Sequence, residues 1–277
     1  IPAFKEAGAV LDTLVTSGGI SGVHHGNKNQ FAIASTETKD LWSNDRINTV
    51  SIVTRHDAHA QQVVDALKSG KNVFVEKPLA LTLDELNVID KTYHEANKSN
   101  TVRLMVGFNR RYAPHIVKMK ELLNSHRSPK SIIMTVNAGA IPGEHWVQNS
   151  LIGGGRIIGE GCHFIDLMRH LIGHKINGFT ATMIGNVPGV EVREDKVSIT
   201  LSFEDGSFGT IHYLANGGSA FPKERVEVFC DDAVLQMDNY RVLTGYGWPG
   251  FKKMKLFKQD KGQKACAKAF IESIANG

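Results

Sequence analysis

The chain has 277 residues, 42% of them hydrophobic and 22% charged, with a net charge of +4. That is the balance of an ordinary folded protein with room for one large or two ordinary domains, which excludes a disordered tract or a small stapled scaffold. The longest apolar runs fall far short of the ~20 residues that cross a bilayer, and no basic stripe carries interleaved aromatics, so neither a membrane nor a nucleic acid is an expected partner. Only Lys252, Lys253 and Lys255 cluster, as on a solvated strand face. Cys162, Cys230 and Cys266 are odd in number and widely spaced, which is neither a disulfide framework nor a zinc pattern. No metal is expected, and a reducing cytoplasm suits such cysteines.

Residues 1–8 read as the last turns of a helix, with Gly8 as its stop. Strands are predicted at 10–16, 49–54, 72–76 and 103–107, separated by helices with readable ends. Asp57 is placed to cap a helix whose face carries Val63, Val64 and Leu67, and Gly70 suits the left-handed position just past its end. Thr82-Leu83-Asp84-Glu85 is a capping box that opens a helix running to about Asn97. Apolar strands alternating with helices imply a doubly wound parallel sheet, whose ligands sit outside the carboxyl ends of the strands. Thr54-Arg55-His56, Glu76-Lys77-Pro78 and Gly107-Phe108-Asn109-Arg110 all fall at those ends.

The second half changes character. After helices near 114–124 and 162–171, strands at 196–203 and 207–214 flank an Asp205-Gly206 hairpin turn, and a second pair surrounds Asp231-Asp232. This predicts an α+β domain with an open, mainly antiparallel sheet. The expected division is 1–107 for dinucleotide binding and 108–277 for substrate binding and oligomerisation.

A nucleotide-binding parallel sheet ordinarily opens with a strand and a G-x-G-x-x-G turn. No such turn opens the first helix here. Gly18, Gly19 and Gly22 follow the second strand of the pattern, and 18–26 is read as a flexible loop rather than a phosphate cradle. The expected fold is therefore a Rossmann-type doubly wound sheet lacking its first strand and turn, on the order of twenty residues. By itself such a polypeptide is expected to bind cofactor weakly and to be inactive.

Four stretches, SIVTRHDAH at 51–59, GKNVFVEKP at 70–78, VGFNRRYAP at 106–114 and GGGRIIGEGCHFID at 153–166, occur in the order and spacing of one family. Through them the sequence resembles the Gfo/Idh/MocA oxidoreductases. The resemblance implies a Rossmann domain for NAD or NADP, hydride transfer at a carbon of a sugar, nucleotide sugar or polyol, and homodimers or homotetramers built through the C-terminal sheet. A glycosidase of the same family that oxidises its substrate transiently with NAD, and a non-catalytic cofactor-binding regulator, are the alternatives.

Lys77 is the first catalytic candidate. An ammonium at a strand's carboxyl end can stabilise an alkoxide as hydride leaves, and Pro78 holds the lysine in extended geometry. His163 is the second, as acid/base for the hydroxyl proton. It shares a helix face with Asp166, read as a support, and with His170. The family's usual aspartate four residues before this histidine is Gly159 here, and Glu160 is the neighbouring carboxylate that could replace it. By resemblance Asn109 and Arg110 line the substrate site, while Arg111 is either a site residue or an ion-pair partner. Trp146 either walls the substrate pocket or belongs to a satellite core. Thr54, Arg55, Glu76, Lys77 and Pro78 border the cofactor, and His59 either supports the site or lines the cofactor pocket. The second strand ends at Thr16-Ser17 without the carboxylate that reads an NAD ribose, so Ser17 becomes a cofactor contact and NADP is slightly favoured.

Overall fold

Short apolar runs punctuated by glycines and polar caps fold locally into strands and helices, and packing then sorts them into two bodies. The computed structural model describes residues 1–99 and 101–276. One unit comprises Ile1–Gly107 and Gln263–Gly277, the other Phe108–Gly262.

In the first unit the elements run α1 (Pro2–Glu6), β1 (Thr13–Val15), α2 (Gly19–Asn29), β2 (Ile33–Ser35), α3 (Lys39–Trp42), β3 (Thr49–Ile52), α4 (His56–Lys68), β4 (Asn72–Val75), α5 (Leu83–Ser99) and β5 (Leu104–Val106). Every strand pair is parallel, as βαβ connections require. The strands form a two-stranded sheet, β1-β2, and a three-stranded sheet, β3-β4-β5. Val73 and Val75 of β4 are fully buried and pack with Val63, Val64 and Leu67 of α4. Each such side chain contributes roughly 1.5–3 kcal/mol of burial.

Local signals set several ends. Gly70 follows α4 with φ +68°, where a side chain would be strained. The Glu85 amide donates to Thr82 Oγ1 at 3.2 Å, and the Thr82 amide donates back to Glu85 Oε2 at 3.1 Å, closing the capping box that starts α5. Two expectations need correction. Helix α4 begins at His56 with Arg55 in the cap position and no side-chain cap, so Asp57 lies in the first turn and meets only the helix dipole. Residues 19–29 form helix α2 instead of a loop. Glycine makes this helix intrinsically poor but lets it sit close to the strands. A Cβ at Gly22 would lie 2.7 Å from Thr16 Oγ1, and one at Gly26 3.5 Å from the Ala34 side chain.

The second unit contains α6 (Pro114–Leu123), β6 (Ser131–Asn137), α7 (Cys162–Ile172), β7 (Ile176–Met183), β8 (Lys196–Phe203), β9 (Phe208–Leu214), β10 (Glu224–Cys230), β11 (Ala233–Asp238), β12 (Val242–Tyr246) and β13 (Lys253–Lys255). They build one eight-stranded sheet in the order β13-β12-β11-β10-β6-β9-β8-β7. All neighbours are antiparallel except β6 and β9. The period-2 pattern of β8 explains the two faces: Val197, Ile199, Leu201 and Phe203 point into a core shared with α6 and α7. Ser198 and Thr200 point the other way and pair across the strands with His212 and Thr210.

The chain then re-enters the first unit as α8 (Gln263–Ala275), although everything after 107 was expected to stay together. Aromatic packing explains the return. Fully buried Phe270 of α8 lies 5.6 Å from the Phe74 ring of β4, which also meets Phe4 of α1 edge-on at 5.0 Å.

Candidate active site

The sequence-predicted residues divide between the two units. In the first, they gather at the carboxyl ends of parallel strands. The Glu76 amide donates to Ile52 O at 2.9 Å and the Gly107 amide to Val75 O at 2.8 Å, so the ends of β3, β4 and β5 are pinned together. The Glu76 carboxylate lies over Gly107, where a Cβ would come within 3.2 Å of it. Lys77 follows, half-buried, and the Lys77–Pro78 peptide is cis.

His59 is fully buried in α4 and bridges two carbonyls: Nδ1 stands 2.7 Å from Pro78 O and Nε2 3.1 Å from Thr54 O. The ring fixes the peptide beyond Lys77 to the end of β3. The Thr54 hydroxyl is engaged by Gln62 at 2.9 Å, while Arg55 is exposed at the start of α4. Ser17 is exposed just past β1, and the Thr16 hydroxyl donates to Gly18 O at 2.9 Å.

In the second unit His163 occupies the first turn of α7, 5% exposed, with its ring edge-on to Phe108 at 6.0 Å. The chain reaches it through a π-helical turn, Ile157–Gly161, a widened helix geometry common at functional sites. The glycine run before that turn is required sterically. A Cβ on Gly153 would fall 2.4 Å from Val147 Cα, so the half-buried Trp146 and its short 3₁₀ turn are held against glycine backbone. Asp166 is buried and takes both forks of Arg111, which settles Arg111 as its ion-pair partner. Burial raises the Asp166 carboxyl above its usual range and outweighs the opposing hydrogen bonds and charge of Arg111. Burial, then the charges of Arg111 and Lys120, lowers the His170 imidazole to about 4.

Three of the residues expected near the substrate, Asn109, Arg110 and Glu160, have partners within the second unit. Arg110, 6% exposed, forms a two-pronged ion pair with Glu224, Nε–Oε2 and Nη2–Oε1 each 2.9 Å, and Lys261 Nζ joins Glu224 Oε1 at 2.6 Å. Asn109 Nδ2 donates to the Lys261 carbonyl at 2.7 Å. Glu160 accepts from the Tyr213 hydroxyl at 2.5 Å, Arg156 at 3.0 Å and Lys223 at 3.1 Å. It thereby ties the π turn to β9 and the loop before β10. Of these partners only Arg156, four residues before Glu160, had a readable spacing. Tyr213, Lys223, Glu224 and Lys261 come from distant strands and loops and leave no local signal.

Burial works against the Glu160 charge, but Tyr213, Lys223 and Arg156 bring its carboxyl down to about 2. A depressed carboxyl stabilises the fold above its ordinary value, and that stability is lost as pH falls through the folded value. Urea denaturation of wild type between pH 4.5 and 2 is therefore expected to show an acid loss on the order of 3 kcal/mol that Glu160→Gln lacks. An identical pH profile for the variant would count against this network.

Lys77 thus stands just past a strand of the first unit, and His163 is buried in the second. Residues 17–108 match the oxidoreductase family model with an NAD-binding Rossmann fold, and residues 117–236 match the GFO/IDH/MocA C-terminal domain. The chain belongs to the Gfo/Idh/MocA oxidoreductase family. Within that family it is 27% identical over 223 residues to the uncharacterized oxidoreductase YrbE of Bacillus subtilis, covering 79% of this chain and 63% of YrbE. It is 24% identical over 216 residues to the myo-inositol 2-dehydrogenase of Thermotoga maritima, covering 76% and 62% respectively. The chain thus spans slightly under two thirds of these Gfo/Idh/MocA relatives. The structure of a levoglucosan dehydrogenase in complex with NADH and levoglucosan superposes with a TM-score of 0.83 at 19% identity, over 99% of this chain and 85% of that one. At that identity the likeness establishes the family fold.

Proposed function

We propose that this chain serves an NAD(H)-dependent oxidoreductase acting on a hydroxyl-bearing carbon of a polyol or sugar. The single observation that supports this most is Lys77 at the carboxyl end of β4, its following peptide clamped by His59. The likeness to a myo-inositol 2-dehydrogenase and to an NADH-bound levoglucosan dehydrogenase favours the same substrate class and favours NAD over NADP.

The first unit suits the nicotinamide and ribose ends of a dinucleotide. Glu76 packs over Gly107 at adjoining strand ends, and Ser17 presents an exposed hydroxyl past β1. Among the described residues of the first unit there is no G-x-G-x-x-G turn for the pyrophosphate. When bound, the cofactor supplies the acceptor or donor of hydride. The Lys77 ammonium hydrogen-bonds the substrate oxygen and stabilises the negative charge that develops there. On the same reading the His163 imidazole carries the hydroxyl proton, taking it in oxidation and returning it in reduction. Burial of His163 keeps that proton from exchanging freely with water.

The test is a screen of the full natural polypeptide with NAD⁺ and NADP⁺ against polyols, sugars and nucleotide sugars. Reduced cofactor should accumulate in proportion to oxidised product, with NAD⁺ preferred. Turnover that leaves the cofactor's redox state unchanged would overturn the assignment in favour of transient oxidation.

A further inference from the structure

His126 follows α6, while Cys230 and Asp231 sit at the turn between β10 and β11. One ligand-type atom from each lies within 4.8 Å of the others. Asp231 Oδ2 is the hub: His126 Nδ1 is 2.7 Å away and Cys230 Sγ 3.7 Å. Asp231 and Asp232 both have left-handed backbones, φ +48° and +59°, and this tight turn brings the carboxylate beside its neighbour's sulfur.

The donor set is one thiol, one imidazole and one carboxylate, which suits zinc and disfavours the all-oxygen cations calcium and magnesium. With zinc–sulfur and zinc–oxygen bonds of about 2.3 and 2.0 Å, a tetrahedral site has a sulfur–oxygen edge of ~3.5 Å, close to the separation found. The shorter nitrogen–oxygen edge encloses a proton, and replacing that proton by a metal opens the edge by about 0.5 Å. The surroundings hold the donors. Trp248 packs edge-on against His126 at 4.7 Å, the Ser128 side chain hydrogen-bonds Asp231, and Cys230 is 5% exposed.

We propose that His126, Cys230 and Asp231 form a zinc site that clips the segment after α6 to the β10–β11 turn. A divalent ion displaces the thiol proton of Cys230 to solvent, and the proton on Nδ1 of His126 is transferred by way of solvent to Nε2, leaving a neutral imidazole ligand. Thiolate and carboxylate then balance the charge of the metal, and the fourth position is left for water. The ligands are 105 residues apart in sequence, so no local spacing reveals them.

Chelator-treated protein titrated with cobalt(II) should develop a near-ultraviolet thiolate-to-cobalt charge-transfer band that saturates at a single equivalent and is bleached by zinc. Cys230→Ser should abolish the band, and His126→Gln should weaken cobalt binding at least ~10-fold with unchanged far-ultraviolet circular dichroism. Cys162→Ser and Cys266→Ser should leave it intact. A wild-type protein without the band, or a band that survives Cys230→Ser, overturns the site. Should Cys230→Ser fail to fold, undiminished affinity in His126→Gln overturns it equally.

Discussion

Lys77→Met should lower kcat of the full natural polypeptide by ~10²–10³-fold while changing its affinity for NADH little. Lys77 ends a strand whose two preceding inward residues are fully buried, so its backbone is fixed by the sheet rather than by a mobile loop. The clamp of Pro78 by His59 fixes the next peptide as well. A methionine keeps the length and the apolar stem of the lysine, so packing is preserved and only the charged donor is removed. The loss should fall on kcat, because the ammonium matters most when negative charge has developed on the substrate oxygen. Lys77→Arg should rescue little, since a planar fork cannot replace a compact ammonium at a position this constrained. His163→Asn should also slow turnover and flatten its pH dependence, which separates the proton carrier from the charge stabiliser. Turnover by Lys77→Met within about tenfold of wild type would remove the lysine from catalysis.

What the sequence disclosed and what it hid divide by the range of the interaction responsible. Gly70 and the Thr82–Glu85 box are decided by neighbours three or four residues away, and both stand where the pattern put them. The carboxyl-end placement of Lys77 follows from strand alternation within one βαβ unit. Helix α2 escaped because its glycines argue against a helix locally, while the close approach to Thr16 and Ala34 that they permit is tertiary. The return of α8 to the first unit escaped for the same reason, as the Phe270–Phe74 contact joins residues almost two hundred apart. The positions of Lys77 past β4 and of His163 in the first turn of α7 were legible, and the groups that occupy Glu160 and Arg110 were not. Spacing carries no information about a carboxylate more than a hundred positions away.

Glu224→Leu should therefore destabilise the second unit far more than its place at the start of a strand suggests, by about 3–5 kcal/mol. Glu224 is 1% exposed, and its two oxygens serve two cations, Arg110 and Lys261. Burial opposes its charge, but the hydrogen bonds and charge of Arg110, followed by Lys261, hold the carboxyl below its usual range. Removing it leaves the buried Arg110 guanidinium over the Phe164 ring with its anion gone. Lys261 is less enclosed and can turn towards water, so the penalty rests mainly on Arg110. Arg110→Met should cost less, because Lys261 still neutralises the carboxylate. In the double variant Arg110→Met/Glu224→Leu most of the loss should be recovered, since an apolar pair avoids desolvating the charges. Urea midpoints of the four proteins measure this cycle, and simple additivity of the single losses would defeat the buried-pair account. The same proteins decide the role of Arg110. A structural arginine lowers stability and leaves kcat/KM per folded molecule unchanged. An Arg110→Met protein of undiminished stability with a raised substrate KM would return Arg110 to the substrate site.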